Sequence, residues 1–139
     1  MTWQGPIEDR LAIRELVESY NDAVMRGDAE AWADHWAEDG VWALPWTEEI
    51  RGRDAIVALW TQVMGNLQVD GFFASAAHIE LDGDRGTGRW YQQEHLQVDG
   101  QHHQVIGEYD DEYVRQDGRW RFARRIYKVR SRLVLPAAT

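Results

Sequence analysis

The stretch Arg85–Phe122, RGTGRWYQQEHLQVDGQHHQVIGEYDDEYVRQDGRWRF, decides the fold. Two Asp-Gly pairs, Asp99-Gly100 and Asp117-Gly118, separate runs rich in Val, Ile, Tyr, Trp and Thr. A third pair, Asp82-Gly83, precedes them. Asp-Gly accommodates two successive residues at positive φ, the backbone that a tight β-hairpin demands. The pattern predicts four long, consecutive antiparallel strands: Phe72 to Leu81, Arg85 to Val98, Gln101 to Arg115 and Arg119 to Leu135.

Upstream, the period changes to that of helices. Pro6 suits a helix start, and Glu8 and Asp9 suit its positive end. Ile13, Leu16, Val17, Tyr20 and Val24 recur at helical spacing until Gly27. Asp28 is a natural N-cap for a short helix carrying Trp32 and Trp36 and ending at Gly40. Val41–Leu44 reads as a brief strand stopped by Pro45, and Asp54 as the cap of a third helix facing inward through Ile56, Leu59, Trp60, Val63 and Met64. Helices followed by a meander define an α+β fold, with helices on one face of a curved sheet. The 139 residues make one domain, 1–139.

Composition narrows the function. Lys+Arg 15 against Asp+Glu 24 gives a net charge of −9, which disfavours nucleic acid and anionic membranes as partners. Zero cysteines excludes disulfides, thiolate metal sites and a thiol nucleophile. The first residues have neither a basic nor an apolar leader character, so a soluble, cytoplasmic protein is expected. Eight Trp, five Tyr and three Phe exceed what a small core needs, so some should line a cavity or a homo-oligomer interface.

No phosphate loop, nucleophile elbow, dinucleotide fingerprint or zinc helix occurs. His102 and His103 must point to opposite faces of a strand, so with His95 they do not make a regular metal site. A two-residue turn at Asp99-Gly100 sets Glu94 opposite Val105, Gln92 opposite Gly107 and Trp90 opposite Tyr109. His103, Asp111 and Tyr113 share that face. A three-residue loop Gln116–Gly118 then places Tyr109 opposite Arg125 and Gly107 opposite Tyr127, whereas a two-residue loop turns Arg125 away. One face thus collects Trp90, Gln92, Glu94, His103, Tyr109, Arg125 and Tyr127. Arg125 beside carboxylates fits a structural ion pair as well as a functional role.

The chain resembles the SnoaL-like members of the NTF2-like superfamily, which include scytalone dehydratase, hexachlorocyclohexane dehydrochlorinase, bile-acid dehydratase, ketosteroid isomerase and polyketide cyclases. The residues that carry the likeness are Ile13-Arg14-Glu15-Leu16 leading to Tyr20, Gly27-Asp28, Trp36–Trp42 and Gly52–Ile56. The pattern continues through Gly107-x-Tyr109-x-Asp111-x-Tyr113, Asp117–Phe122 and Arg125. The resemblance implies a cone-shaped barrel, N-terminal helices packed on a strongly curved antiparallel sheet, around a deep apolar pocket. Dehydratase-type members use an aspartate late in the first helix and a histidine at the start of the first long strand. Here those positions match Met25 and Phe72 or Phe73, so the dyad is replaced.

Tyr20 and Arg125 match pocket positions of the family, and Val24, Trp42, Met64, Val105, Tyr109 and Val129 match its pocket walls. Gln92 and Glu94 stand where the wall is usually apolar, and a glutamate in an apolar cavity has a raised pKa. The expectation is a cofactor-independent lyase, with no metal, acting by elimination on a small hydrophobic, aromatic or polycyclic substrate. Tyr20, Glu94, His103 and Arg125 are its expected catalytic residues. Phe72, Trp42, Trp90 and Tyr109 would sandwich the rings, with Tyr127 beside them. The alternatives are an isomerase or cyclase of the same family, or a non-catalytic hydrophobic-ligand binder; for Glu94 itself the structural reading is that it merely pairs with Arg125 to hold the barrel shut. A homodimer or homotrimer is expected.

Overall fold

A computed structural model describes residues 2–136. Helix α1 spans Ile7–Arg26 and begins after Pro6. It ends at Gly27, whose φ of 63° lets its N–H turn back to the Ala23 and Val24 carbonyls. Its buried stripe is Ile13, Leu16, Val17, Tyr20 and Val24, with Asn21 and Ala23 beside them. Asp28 caps α2 (Ala29–Asp34), its carboxylate accepting from the Ala31 N–H at 3.1 Å.

Helix α2 stops six residues short of Gly40, and the chain from Trp36 to Ala43 is strand β2. The cause is tertiary. The Phe122 N–H donates to the His35 carbonyl at 2.9 Å, and Trp36 pairs with Phe122 in a parallel ladder. Strand hydrogen bonds therefore capture a segment whose local signals read as helix. Gly40 lies inside the strand, where a Cβ would sit 3.1 Å from the Trp36 ring. After the short strand β3 (Ile50–Arg51), Gly52 rather than Asp54 occupies the N-cap of α3 (Arg53–Met64). Among the described residues no helix is long and apolar enough to cross a membrane.

The meander runs β4 (Gln68–Asp82), β5 (Arg85–Val98), β6 (Gln101–Gln116) and β7 (Arg119–Leu135). It sits inside a seven-stranded sheet of order β1-β4-β5-β6-β7-β2-β3, where β1 is Trp3–Gln4. The sheet is not wholly antiparallel, because β1 joins β4 and β2 joins β7 in parallel. Asp99 and Gly100 (φ 50° and 78°) form the expected two-residue turn, and Asp117 and Gly118 (φ 53° and 75°) form a second of the same kind.

Register separates expectation from outcome. Trp90, Gln92 and Glu94 face Tyr109, Gly107 and Val105, as the two-residue turn requires. The next hairpin also has a two-residue loop, with Gln116 opposite Arg119, not the three-residue loop anticipated. Arg125 nevertheless points inward, because a bulge between Glu112 and Tyr113 leaves Ala123 without a partner. Trp120 and Phe122 are buried on one side of it, and Arg125 and Tyr127 on the other. One extra residue flips the inward parity of the strand. The partners shift accordingly: Tyr109 faces Tyr127, Gly107 faces Val129, and Asp111 faces Arg125.

The aromatic surplus is divided. Trp32 and Trp36 are fully buried, and Trp32 stacks on Trp60 with centroids 4.5 Å apart and planes 12° off parallel. On the other side of the Phe122 ring from Trp36, Trp90 Nε1 donates to the Tyr113 hydroxyl at 2.8 Å, which donates to Asp111 at 3.0 Å. Gly88 makes room for that relay, since a Cβ there would lie 2.3 Å from the Tyr113 oxygen. Gly88→Ala will therefore displace the Tyr113 hydroxyl and cost about 1–3 kcal/mol, the usual range for overpacking a core. Urea unfolding of the two proteins measures it.

Candidate active site

The concave face of the sheet, α1, α3 and the segment after β2 enclose a cavity of about 250 Å³. Strand alternation sends Glu94, Leu96 and Val98 of β5 into it, and His103 and Tyr109 of β6. Tyr127 and Arg132 enter from β7, Phe72 from β4, and Tyr20 and Val24 from α1. Trp42, Leu44 and Trp46 close one side, and Trp60, Val63 and Leu67 another.

Glu94 is the polar centre. Its side chain is buried at 9% exposure, and its Oε2 accepts a hydrogen bond from the Tyr127 hydroxyl at 3.2 Å. Burial pushes its carboxyl up to about 7, although the Tyr127 hydrogen bond and the Arg132 charge both pull it down. The Tyr127 ring is flanked by Tyr109 at 4.9 Å and Trp46 at 6.3 Å between centroids. Burial likewise lifts the Tyr20 and Tyr109 phenols, against the opposing pull of the Arg125 cation.

Arg125 does not line the cavity. It is wholly buried behind the wall, with Nε and Nη2 donating to the two oxygens of Asp111 at 2.8 and 3.2 Å. Its guanidinium carbon lies 3.7, 4.2 and 4.6 Å from the ring centroids of Tyr109, Phe122 and Tyr20. The ion pair that binds the barrel is thus Asp111–Arg125, and Glu94 is bonded to Tyr127 instead of Arg125.

The structure brings Tyr20, Val24, Trp42, Phe72, Glu94, His103, Tyr109 and Tyr127 together as the sequence led us to expect. It leaves the others outside the cavity. Met25 is 40% exposed, being turned about 100° around the helix from Val24. Phe73 is 58% exposed because its neighbour Phe72 faces in. Trp90 serves Tyr113, and Val105 is sealed in the core. Met64 packs partly buried against the core while its neighbour Val63 lines the wall, and Val129, beside a second irregularity of β7, is 39% exposed. Gln92 is buried with neither amide atom bonded to a described residue.

Leu96 and Val98 were available to sequence reasoning, for they continue the alternation of Glu94. Trp60 and Val63 lie on the apolar stripe already read for α3. Trp46, exposed after Pro45, and Arg132, turned by a bulge, carry no comparable local signal.

A hollow walled by a curled sheet and plugged by helices is the NTF2-like, cystatin-like architecture. The chain belongs to the SnoaL-like domain family, whose model matches residues 6–126. A protein of unknown function from Mycobacterium tuberculosis is 28% identical, with 90% of this chain and 76% of that one covered and a TM-score of 0.79. An NTF2-like protein with a cystatin-like fold from Novosphingobium aromaticivorans is 29% identical, over 90% of this chain and 84% of that one, with a TM-score of 0.75. A type 2 hexachlorocyclohexane dehydrochlorinase shares the fold at 18% identity, with a TM-score of 0.80 over 95% of this chain and 92% of that one. No curated protein matches the chain.

Proposed function

We propose that the protein is a cofactor-independent lyase that eliminates water, or a comparable small leaving group, from a compact hydrophobic molecule. The observation that carries this reading is a single carboxyl, Glu94, buried in an aromatic-walled cavity and bonded to the Tyr127 hydroxyl. A carboxyl whose pKa is raised to about 7 is divided between acid and base near neutrality, the condition for efficient proton transfer. Ionised Glu94 takes a proton from a carbon of the substrate. The released C–H electron pair forms the double bond as the neighbouring C–O bond breaks, and the departing oxygen leaves as water with a proton returned from Glu94 or donated by Tyr20.

Tyr20 and Tyr109 supply hydroxyls to charge developing on the substrate. Arg125, stacked on both rings, makes them better donors without touching the substrate. Dehydrochlorination, the activity named for one structural neighbour, is elimination of the same kind. A hydrophobic-ligand binder is the second reading, favoured by Met25 and Phe72 in place of the family's proton-transfer dyad.

The test is deuterium exchange and elimination measured on a panel of hydroxylated aromatic and alicyclic ketones in heavy water. Glu94→Gln will lower the rate by about 10²–10⁴-fold, the contribution of a positioned acid–base group. Wild-type protein that binds members of the panel but exchanges and eliminates none of them supports the binder instead.

A further inference from the structure

Strand β7 carries seven cationic side chains, and six of them pair with described carboxylates. Arg119 and Arg121 meet Asp34, Arg124 meets Glu49, Arg125 meets Asp111, Lys128 meets Asp110, and Arg130 meets Glu108. Among the described residues Arg132 alone of the seven has no such partner, although acids outnumber bases 24 to 15 in this chain. It is also the one arginine that lines the cavity.

Its placement depends on a backbone irregularity. Gly107 pairs with Val129 and Ile106 with Ser131, so Arg130 is the extra residue of a second bulge in β7. Were the ladder regular there, with Arg130 facing Ile106, Ser131 would face Val105 and Arg132 would point to the outer surface. With it, Glu94, Val105 and Arg132 form one cross-strand row on the concave face. Adjacent strands lie about 4.8 Å apart, so Glu94 and Arg132 anchor two ends of a short span. Glu94 sits deep and Arg132 is exposed at the rim, where His103 also lines the wall.

Between them the wall is apolar and aromatic, formed by Trp42, Trp60, Phe72 and Tyr109. Such a chamber accepts a flat hydrophobic body, and its volume of about 250 Å³ suits one or two fused rings. A guanidinium fork at the entrance matches a carboxylate, which it can bind through two parallel hydrogen bonds. In a protein of net charge −9, a rim arginine also offsets the general repulsion of an anionic ligand.

We infer that the ligand of this cavity is a flat hydrophobic carboxylate, its rings held by the aromatic wall and its carboxylate by Arg132 at the rim. This builds on the reading of the cavity as a substrate site and adds the substrate's class.

The full-length chain is titrated with naphthoate and with the isosteric, uncharged naphthamide near neutral pH, followed by calorimetry. Naphthoate will bind about tenfold tighter than naphthamide, and added salt will narrow the gap. Arg132→Gln, a change at an exposed position, will abolish the preference and leave naphthamide affinity within about twofold, and Arg132→Lys will restore part of it. Equal affinity for the two probes, equal weakening of both by Arg132→Gln, or no naphthoate binding at millimolar concentration would overturn the inference. Elimination assays on wild type and Glu94→Gln separate this claim from the lyase reading. Wild-type protein that shows the carboxylate preference but no elimination activity leaves the substrate class standing while the chemistry falls. Activity that depends on Glu94 without any carboxylate preference does the reverse.

Discussion

Replacing Asp111 with alanine will destabilise the protein by about 3–5 kcal/mol, the largest loss expected from any single change described here. Arg125 is entirely buried and cannot escape by shedding its proton, because guanidinium stays charged under all ordinary conditions. Burial works against the cation, and the Asp111 carboxylate together with the Tyr20 and Tyr109 phenols holds its pKa above the ordinary value. Without Asp111, the cation keeps only the faces of Tyr20, Tyr109 and Phe122, and the Tyr113 hydroxyl loses its acceptor. Total stabilities of about 5–15 kcal/mol are typical, so the variant should be marginal at room temperature. Removing both charges, in Asp111→Ala with Arg125→Met, should recover most of the loss, since the uncompensated charge is the main cost. Urea unfolding of the two variants decides it. A loss below about 1 kcal/mol in the single variant would mean that the pair contributes no more than a surface salt bridge.

Glu94→Gln will stabilise the protein at alkaline pH and leave it unchanged in acid. The native carboxyl has its pKa near 7 against an unfolded value of 4.5, so the native state holds its proton more tightly. Stability from this group is therefore full below about pH 4.5 and is lost as the pH rises through 7. Over that interval the shift corresponds to about 3 kcal/mol, an order-of-magnitude figure for a group this buried. Glutamine is neutral throughout and can still accept the Tyr127 hydroxyl. The difference in unfolding free energy between variant and wild type should be close to zero at about pH 4 and reach a few kcal/mol at about pH 8. A difference that stays flat across that range would show that Glu94 is not held in a low-dielectric setting. Paired with the loss of elimination activity, a gain in stability would mark Glu94 as a group kept for chemistry at the expense of the fold.

Local chemistry determined the frame of this protein. Asp-Gly turns, a helical apolar stripe ending at Gly27 and a period of two in the strands are properties of neighbouring residues, so they were legible without a structure. The same holds for Glu94, whose inward direction follows from counting back from the Asp99-Gly100 turn. Trp36 was misleading, since its helical surroundings are overruled by hydrogen bonds to β7, a strand some 85 residues further along the chain. Tertiary structure also decided which cation meets which acid. Two single-residue bulges, at Ala123 and Arg130, put Arg125 against Asp111 and Arg132 into the cavity. The residues around them give no hint of either. A slip of one residue exchanges the two faces of a strand, so the members of the site rest on the feature that local sequence specifies least.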